Sequence, residues 1–344
     1  MKNTIDNIQY HVLHDIEFPD TVYIRQKDDL LLFNYRPKVQ YDNMWTNLEI
    51  ACRGLIINKN TAEIIARPFD KFFNWGENNK TTTSKIKNVT EKMDGSLGIH
   101  YRLKDKMMIS TRGSFDSDQA LWATEHLNKH HNIKDIPYNW TMLFEIIYPD
   151  NRIVIDYNKW SGLALLGIRD RFTASYIPYN ILYDIANLYK FRLPKRYTFD
   201  TVDDIIGASK ILPANQEGWV VEFKNGKRFK FKGDEYKKIH KLISGLSFKY
   251  ALECHKSGII NKAKESIPDE FYGEFDGWVD TITNTITNIT EHVNICYNTA
   301  PKTSRKEYAV WVKKYHPDIA SYLFAKMDNK DILPLIYKKA FKEM

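Results

Sequence analysis

The 344-residue chain is short of several things, and each shortage excludes a class of protein. No apolar run is long enough to span a bilayer: a stretch such as Leu163 to Ile168 falls far below the ~20 residues required, and the mean hydropathy is −0.49. Met1 to Asp15 has neither the apolar core nor the cleavage site of a signal peptide, so the expectation is an intracellular protein without membrane attachment. Cysteine is limited to Cys52, Cys254 and Cys296. Their odd number and wide spacing point to reduced thiols, not to a disulfide framework or a zinc site. With 15 glycines and 12 prolines, collagen-like and proline-rich architectures are excluded. There is no internal repeat and no low-complexity segment.

What is present is enough for a packed core: 43% hydrophobic and 14% aromatic residues. The length suggests about two domains. The net charge is +7, unevenly spread. From Lys224 to Lys241 there are eight Lys/Arg against Asp234 and Glu235, and from Ala300 to Met344 ten against five. Such concentration suits a polyanionic partner, nucleotide or nucleic acid, although a solvated lysine-rich face would read the same way.

The first two-thirds reads as α+β. Strands are expected at Leu30–Tyr35, Gly54–Ile57, Ile64–Ala66, Leu97–Leu103, Met107–Ser110, Met142–Ile147, Ile153–Asp156, Leu163–Ile168, Trp219–Phe223 and Arg228–Phe231. Asn225-Gly226 predicts a tight turn joining the last two, and short strands joined by tight turns imply antiparallel sheets. Helices are expected at Asp116–His130, with Ala120, Leu121, Ala123, Thr124 and Leu127 on one face, and at Tyr179–Lys190, with Ile181, Leu182, Ile185, Ala186 and Leu188. Beyond a boundary near 241–246 the pattern turns helical. Trp278, Ile282, Ile286, Ile289, Val293 and Cys296 recur at steps of three and four. Further helical stretches are expected at Leu246–Ala263, Ser304–Tyr315, Pro317–Met327 and Asp331–Lys342. The division is therefore 1–243 for an antiparallel-sheet domain and 244–344 for an all-helical one.

The chemistry starts at Lys92-Met93-Asp94-Gly95. Alone it could be a surface turn, since Asp-Gly is a common turn pair. Its context is an ordered series: RGL from Arg53, RPFDKFFN from Arg67, KMDGSL from Lys92, FEIIYPDNRIV from Phe144, EGWVVEF from Glu217 and KFKGDEY from Lys230. This series, over roughly residues 50 to 240, resembles the bacteriophage RNA ligase 1 family within the covalent nucleotidyltransferase superfamily.

The residue chemistry is consistent in its own right. A lysine that attacks the α-phosphorus of ATP must shed its proton, against an ordinary pKa near ~10.4. Burial and neighbouring cations favour that, and Arg53, Lys71, Lys230 and Lys232 are the candidate cations and phosphate ligands. A side-chain period of two puts Lys230 and Lys232 on one face of a strand and Phe229 and Phe231 on the other. An exposed amphipathic strand has the same pattern. Asp94 and Gly95 would form the turn presenting Lys92, with Gly95 allowing close backbone approach to the nucleotide.

The resemblance implies an ATP-dependent RNA ligase with Mg²⁺ (or Mn²⁺), acting on RNA with 5′-phosphate and 3′-hydroxyl ends, a nicked tRNA among them. It implies Lys92, Lys230 and Lys232 as catalytic residues. It places Arg53, Lys71, Phe73, Asp94, Gly95, Arg112, Glu145, Glu217, Gly218 and Tyr236 around the nucleotide, with Glu145 and Glu217 serving the metal directly or through water. Physically, Phe73 could equally be a core residue and the two glutamates surface salt-bridge partners. Arg112 stands where the family has lysine, which keeps the charge but changes donor geometry. The helical segment would hold the RNA, no protein partner is indicated, and the setting would be a host-cell cytoplasm if the chain is phage-encoded. The alternatives are a DNA ligase, a GTP-using capping enzyme, or an inactive RNA-binding protein on the same scaffold. The first two usually carry a small β-barrel after the last motif, where this chain reads helical. Gly76 to Thr81 lacks the second glycine of a P-loop, His130-His131 reads as surface, and Cys254-His255 as packing.

Overall fold

The computed structural model describes residues 2–158, 160–267 and 271–341. Its contacts divide the chain into two compact units, Met1–Ile243 and Ser244–Met344.

The first unit opens with helix α1 (Lys2–Leu13), followed by strands β1 (Val22–Lys27) and β2 (Leu30–Tyr35), helices α2 (Pro37–Tyr41) and α3 (Asn47–Ala51), and strands β3 (Arg53–Asn58) and β4 (Ile64–Ala66). The four strands form an antiparallel sheet in sequential order. Ile5 and Ile8 of α1 pack onto it beside Phe33, Leu55 and Ile57. Helix α3 starts on a capping box in which Thr46 and Glu49 satisfy each other's backbone.

The chain continues through β5 (Phe73–Asn74), β6 (Ile86–Glu91), β7 (Ser96–Leu103), β8 (Lys106–Ser110), α4 (Asp118–His130), β9 (Trp140–Ile147), β10 (Gly162–Asp170), α5 (Tyr179–Tyr189), β11 (Arg196–Tyr197), α6 (Val202–Ile211), β12 (Gly218–Phe223), β13 (Arg228–Lys232) and α7 (Asp234–Ile243). These strands make a second sheet, β10-β9-β7-β8, and a third, β11-β6-β12-β13-β5. Their ladders are antiparallel except the short parallel pairing of β13 with β5. The Asn225-Gly226 turn joins β12 to β13 as expected, with Gly226 at φ +81°. Behind that hairpin the Trp75 ring meets Phe223, Phe229 and Phe231 at centroid distances of 5.8, 5.1 and 5.3 Å.

Two expectations for this unit fail on identifiable grounds. Ile153–Asp156 is not a strand. The N–H groups of Val154 and Ile155 both donate to Asp94 Oδ2, at 2.9 and 2.8 Å, instead of entering a ladder. The expected helix faces were also too wide. Ala120, Ala123 and Leu127 of α4 are buried but Leu121 is exposed, and in α5 Leu182, Ile185 and Ala186 are buried while Ile181 and Leu188 are exposed. A three-and-four stripe leaves its immediate neighbours about 100° off the core direction.

The second unit comprises α8 (Phe248–Lys256), α9 (Ile260–Ser266), α10 (Tyr272–Thr299), α11 (Arg305–Tyr315), α12 (Ala320–Met327) and α13 (Leu333–Lys339), with no strand among the described residues. The stretch expected as one helix over Leu246–Ala263 is broken at Gly258, φ +68°. Helix α12 begins at Ala320, not Pro317, and the expected end of the last helix at Lys342 lies outside the described residues. The α10 stripe packs as its spacing demands: Ile282, Val293 and Cys296 are buried, and Trp278, Ile286 and Ile289 lie partly buried on the same cluster. No helix among the described residues is long and apolar enough to cross a membrane.

Candidate active site

Strand β6 ends at Glu91, and Lys92 is the next residue. Its N–H donates to the carbonyl of Gly218 at 2.9 Å, so the β12 ladder holds its backbone. Gly218 must be glycine. Its φ is +140°, and a Cβ there would lie 1.9 Å from the Phe231 carbonyl oxygen. Glu217, one residue earlier, is buried at 3% exposure. Its Oε1 lies 2.6 Å from Lys92 Nζ and 3.5 Å from Lys232 Nζ. The Lys92 amine is thus paired with an anion, and the Lys232 cation shares the same carboxylate oxygen. The burial of β13 alternates as expected, with Phe229 and Phe231 in the core and Lys230 and Lys232 on the other face.

Glu145 projects from β9. Burial, the largest influence, pushes its carboxyl up, Lys92 pulls it down, and Glu217 and Asp94 push it further up, to about 8. The Gly95 backbone hydrogen-bonds to it. The close approach that demands glycine at 95 is to β9: a Cβ there would sit 2.5 Å from the Ile146 carbonyl oxygen.

Asp94, expected around the nucleotide, has both carboxylate oxygens engaged within the protein. It is 4% exposed. One oxygen accepts from Val154 and Ile155, and the other accepts from the Tyr236 hydroxyl at 2.8 Å. Its N–H donates to the Tyr157 hydroxyl at 2.7 Å. Asp94 therefore pins the turn that carries Lys92. Tyr236, buried on α7, is a partner of that pin, and its ring lies 5.9 Å from Lys232 Nζ.

A second cationic group surrounds Tyr35, at the end of β2. Arg112 Nη1 donates to the Tyr35 hydroxyl at 2.7 Å. Burial pushes this phenol up, but Arg112, Lys71, Arg53 and Lys230 together outweigh burial and hold it below its ordinary value. Lys71 is buried, its ammonium 5.1, 5.3 and 5.9 Å from the centroids of Trp45, Phe73 and Tyr35 and 3.2 Å from Gln40 Oε1. Phe73 is thus one wall of an aromatic enclosure around Lys71, with Lys80 Nζ 3.5 Å from its centroid. Arg53, whose pull on Glu145 is mutual, connects the two groups, as do Lys230 and Lys232, roughly 7 Å apart along one strand face. An open groove of about 1430 Å³ continues from Lys71 and Phe73 past Lys80, Arg169 and Arg228.

Sequence reasoning missed Tyr35 and Trp45. Tyr35 closes the run Leu30–Tyr35 and reads as one more apolar strand residue, and neither aromatic stands in a motif. Both are found only through cations contributed by distant segments. Of the residues set aside, Gly76–Thr81 holds a short 3₁₀ turn. His131 is half-buried, stacked 4.2 Å from Phe191, and not simply a surface residue. Cys254 is buried, and His255 bonds Tyr337 and Thr283.

Whether a divalent cation suits this site can be asked of Glu217 directly. Its Oε2 is buried without a hydrogen-bond partner, and the Glu145 carboxyl beside it is held off ionisation by burial and by two other acids. An orphaned carboxylate oxygen next to a second carboxyl, with few other protein oxygens, fits Mg²⁺, which keeps most of its waters.

Comparison with known proteins agrees with the motif order. A family model described as RNA ligase matches residues 51–237. A baculovirus protein of Autographa californica nuclear polyhedrosis virus, named as a bifunctional polynucleotide kinase/RNA ligase, is 30% identical over 220 residues, covering 56% of this chain and 31% of that protein. An RNA ligase of Rhodothermus phage RM378 is 26% identical over 192 residues, covering 43% of each. The chain therefore spans less than half the length of these two relatives. Among solved structures, a Naegleria gruberi RNA ligase with ATP and Mn aligns at a TM-score of 0.38 and 20% identity, over 48% of this chain and 53% of that one. The same enzyme with PPi aligns at 0.37 and 20%, over 46% and 52%. The segment matched by the family model runs from the residue before Cys52 to the residue after Tyr236, takes in every motif that surrounds Lys92, and exceeds half the chain: this protein belongs to the phage RNA ligase 1 family.

Proposed function

We propose that this protein is an ATP-dependent RNA ligase that works through an adenylyl group carried on Lys92. The observation that supports it most is the pairing of the Lys92 amine with a buried glutamate, Glu217, whose second oxygen is unsatisfied, on a turn fixed by Asp94.

Three displacements at phosphorus follow. First the Lys92 amine leaves its ion pair, loses its proton and attacks the α-phosphorus of ATP; an N–P bond forms and pyrophosphate departs. Next a 5′-phosphate oxygen of RNA attacks the same phosphorus, the N–P bond breaks, and Lys92 regains its proton. Last an RNA 3′-hydroxyl attacks the 5′-phosphate, its proton is lost, and AMP departs as the phosphodiester closes. Each step builds negative charge on phosphoryl oxygens, so one set of fixed cations can serve all three. Lys230, Lys232, Arg53, Lys71 and Arg112 are that set, with Phe73 and Tyr35 fixing Lys71, Tyr35 fixing Arg112, and the Phe69 carbonyl and the Phe72 ring holding Arg53. Glu145 and Glu217 would hold Mg²⁺ or Mn²⁺, which when bound supplies positive charge at the phosphates. Gly95 and Gly218 act through the backbone, letting strands pack closely enough to present Lys92 and Glu217.

The helical unit 244–344, with its lysine-rich end, is inferred to hold the RNA. A nicked tRNA is the first substrate to test, on family resemblance. RNA repair inside a host cell is the setting inferred.

The test is incubation of the full chain with α-labelled ATP or GTP and Mg²⁺. Covalent label from ATP on the peptide containing Lys92, lost in Lys92→Ala, is expected. Label from GTP alone would make it a capping-type enzyme, and label persisting in Lys92→Ala would move the nucleophile. Joining of 5′-phosphorylated single-stranded RNA over matched DNA is the companion expectation; preference for nicked duplex DNA would overturn the substrate class.

A further inference from the structure

His292 and Cys296 lie one turn apart on α10, and His316 caps the C-terminus of α11. Cys296 Sγ is 3.7 Å from His292 Nε2 and 3.5 Å from His316 Nδ1, and the three ligand-type atoms lie within 4.8 Å of one another. These separations match those that a bound metal ion would impose. Zinc bonds of ~2.3 Å to sulfur and ~2.0–2.1 Å to imidazole nitrogen, set at a tetrahedral angle, place sulfur and nitrogen about 3.6 Å apart. Cys296 is buried, His316 half-buried and His292 exposed, so the trio sits under the surface with one side toward solvent.

We propose that His292, Cys296 and His316 form a tetrahedral transition-metal site of the zinc class, with a water at the fourth position. Two imidazoles and one thiol select borderline ions such as Zn²⁺ and Co²⁺ over Mg²⁺, which takes oxygen. The proposal is therefore independent of any cation at Glu145 and Glu217. The ion enters by displacing the thiol proton, one proton leaving as one metal–sulfur bond forms. The bound ion would fasten the last turns of α10 to the end of α11. That joins two segments otherwise linked only through the chain between 297 and 315 and their packing. Reading the cysteines alone excluded zinc, because two of the three ligands are histidines and one is twenty residues beyond Cys296.

The experiment is titration of the chelator-treated full chain with Co²⁺ in excess Mg²⁺, which keeps the carboxylate site occupied. One equivalent is expected to bind, giving a thiolate-to-cobalt charge-transfer band and the intense visible bands of tetrahedral cobalt, both abolished by Zn²⁺. Cys296→Ser should remove the charge-transfer band. His292→Ala, at an exposed position, should weaken Co²⁺ binding by at least about tenfold and abolish the rise in Tm that Zn²⁺ gives the unaltered protein. Absence of the charge-transfer band in the unaltered protein, or its survival in Cys296→Ser, would overturn the assignment and leave a thiol hydrogen-bonded between two imidazoles.

Discussion

Among single residues, Lys92 stands beside others whose side chains are tied to partners within the protein. Asp94 accepts three hydrogen bonds, and both its oxygens are used. Tyr35 gathers the pull of four cations. Tyr35→Phe keeps the ring and removes the acceptor for Arg112, so the expected outcome is unchanged Tm with adenylation several-fold slower at limiting ATP. Equal rates at all ATP concentrations would mean that Arg112 is held by other means. Glu145 gives a pH prediction whose sign is fixed. Its carboxyl titrates near 8 in the folded chain and near the ordinary carboxylate value when unfolded. Below both values there is no difference between the states. As pH rises through that window the unfolded chain releases the proton first, so stability falls, levelling off above about pH 8. Glu145→Gln should flatten that fall, which is on the order of a few kcal/mol, in chemical denaturation series at several pH values. Mg²⁺ should flatten it too, if the cation is held at this carboxylate.

Secondary-structure elements show where the sequence was legible and where it was not. Strands β2, β4, β12 and β13 announce themselves because each alternates apolar residues or carries a β-branched run between turn residues. The Asn-Gly hairpin and the Lys230/Lys232 face follow from periodicity alone. Strand β6, which delivers Lys92, was unreadable: Ile86 to Glu91 buries only Val89, so its strand character comes from ladder bonds to β12 and β11, not from its own side chains. Ile153–Asp156 erred the opposite way. Its β-branched residues fit a strand, but a carboxylate sixty residues upstream captures its N–H groups. The candidate site was legible where residues sit in ordered motifs and silent where distant segments converge, as at Tyr35 and Trp45. The hairpin also carries a prediction. Trp75 packs behind β12 and β13 on the face opposite Lys230 and Lys232. Trp75→Ala should cost about 2–4 kcal/mol by calorimetry or denaturant titration and slow adenylation, because both lysines ride on the strand it supports. Normal adenylation in a destabilised variant would show the site to be held by β6 and β9 alone.

At the level of the whole molecule, two units carry different charge and different structure. The sheet-rich unit contains every residue assigned here to nucleotide chemistry, and the helical unit carries exposed Lys313 and Lys314 near the end of α11. The double change Lys313→Glu, Lys314→Glu is expected to leave lysyl-AMP formation unchanged. It should weaken RNA binding and lower the slope of log affinity against log salt by about 2, roughly one for each lysine. Unchanged RNA affinity would assign substrate binding to the groove beside Lys71 instead.

One dipeptide, Glu217-Gly218, grips Lys92 twice, by main chain at the glycine and by side chain at the glutamate. Accepting an adenylyl group can undo only the second grip. On the proposed mechanism the nucleophile is therefore an arm on a fixed pivot with a parking place, able to swing from counter-ion to phosphorus and back without the surrounding strands having to move.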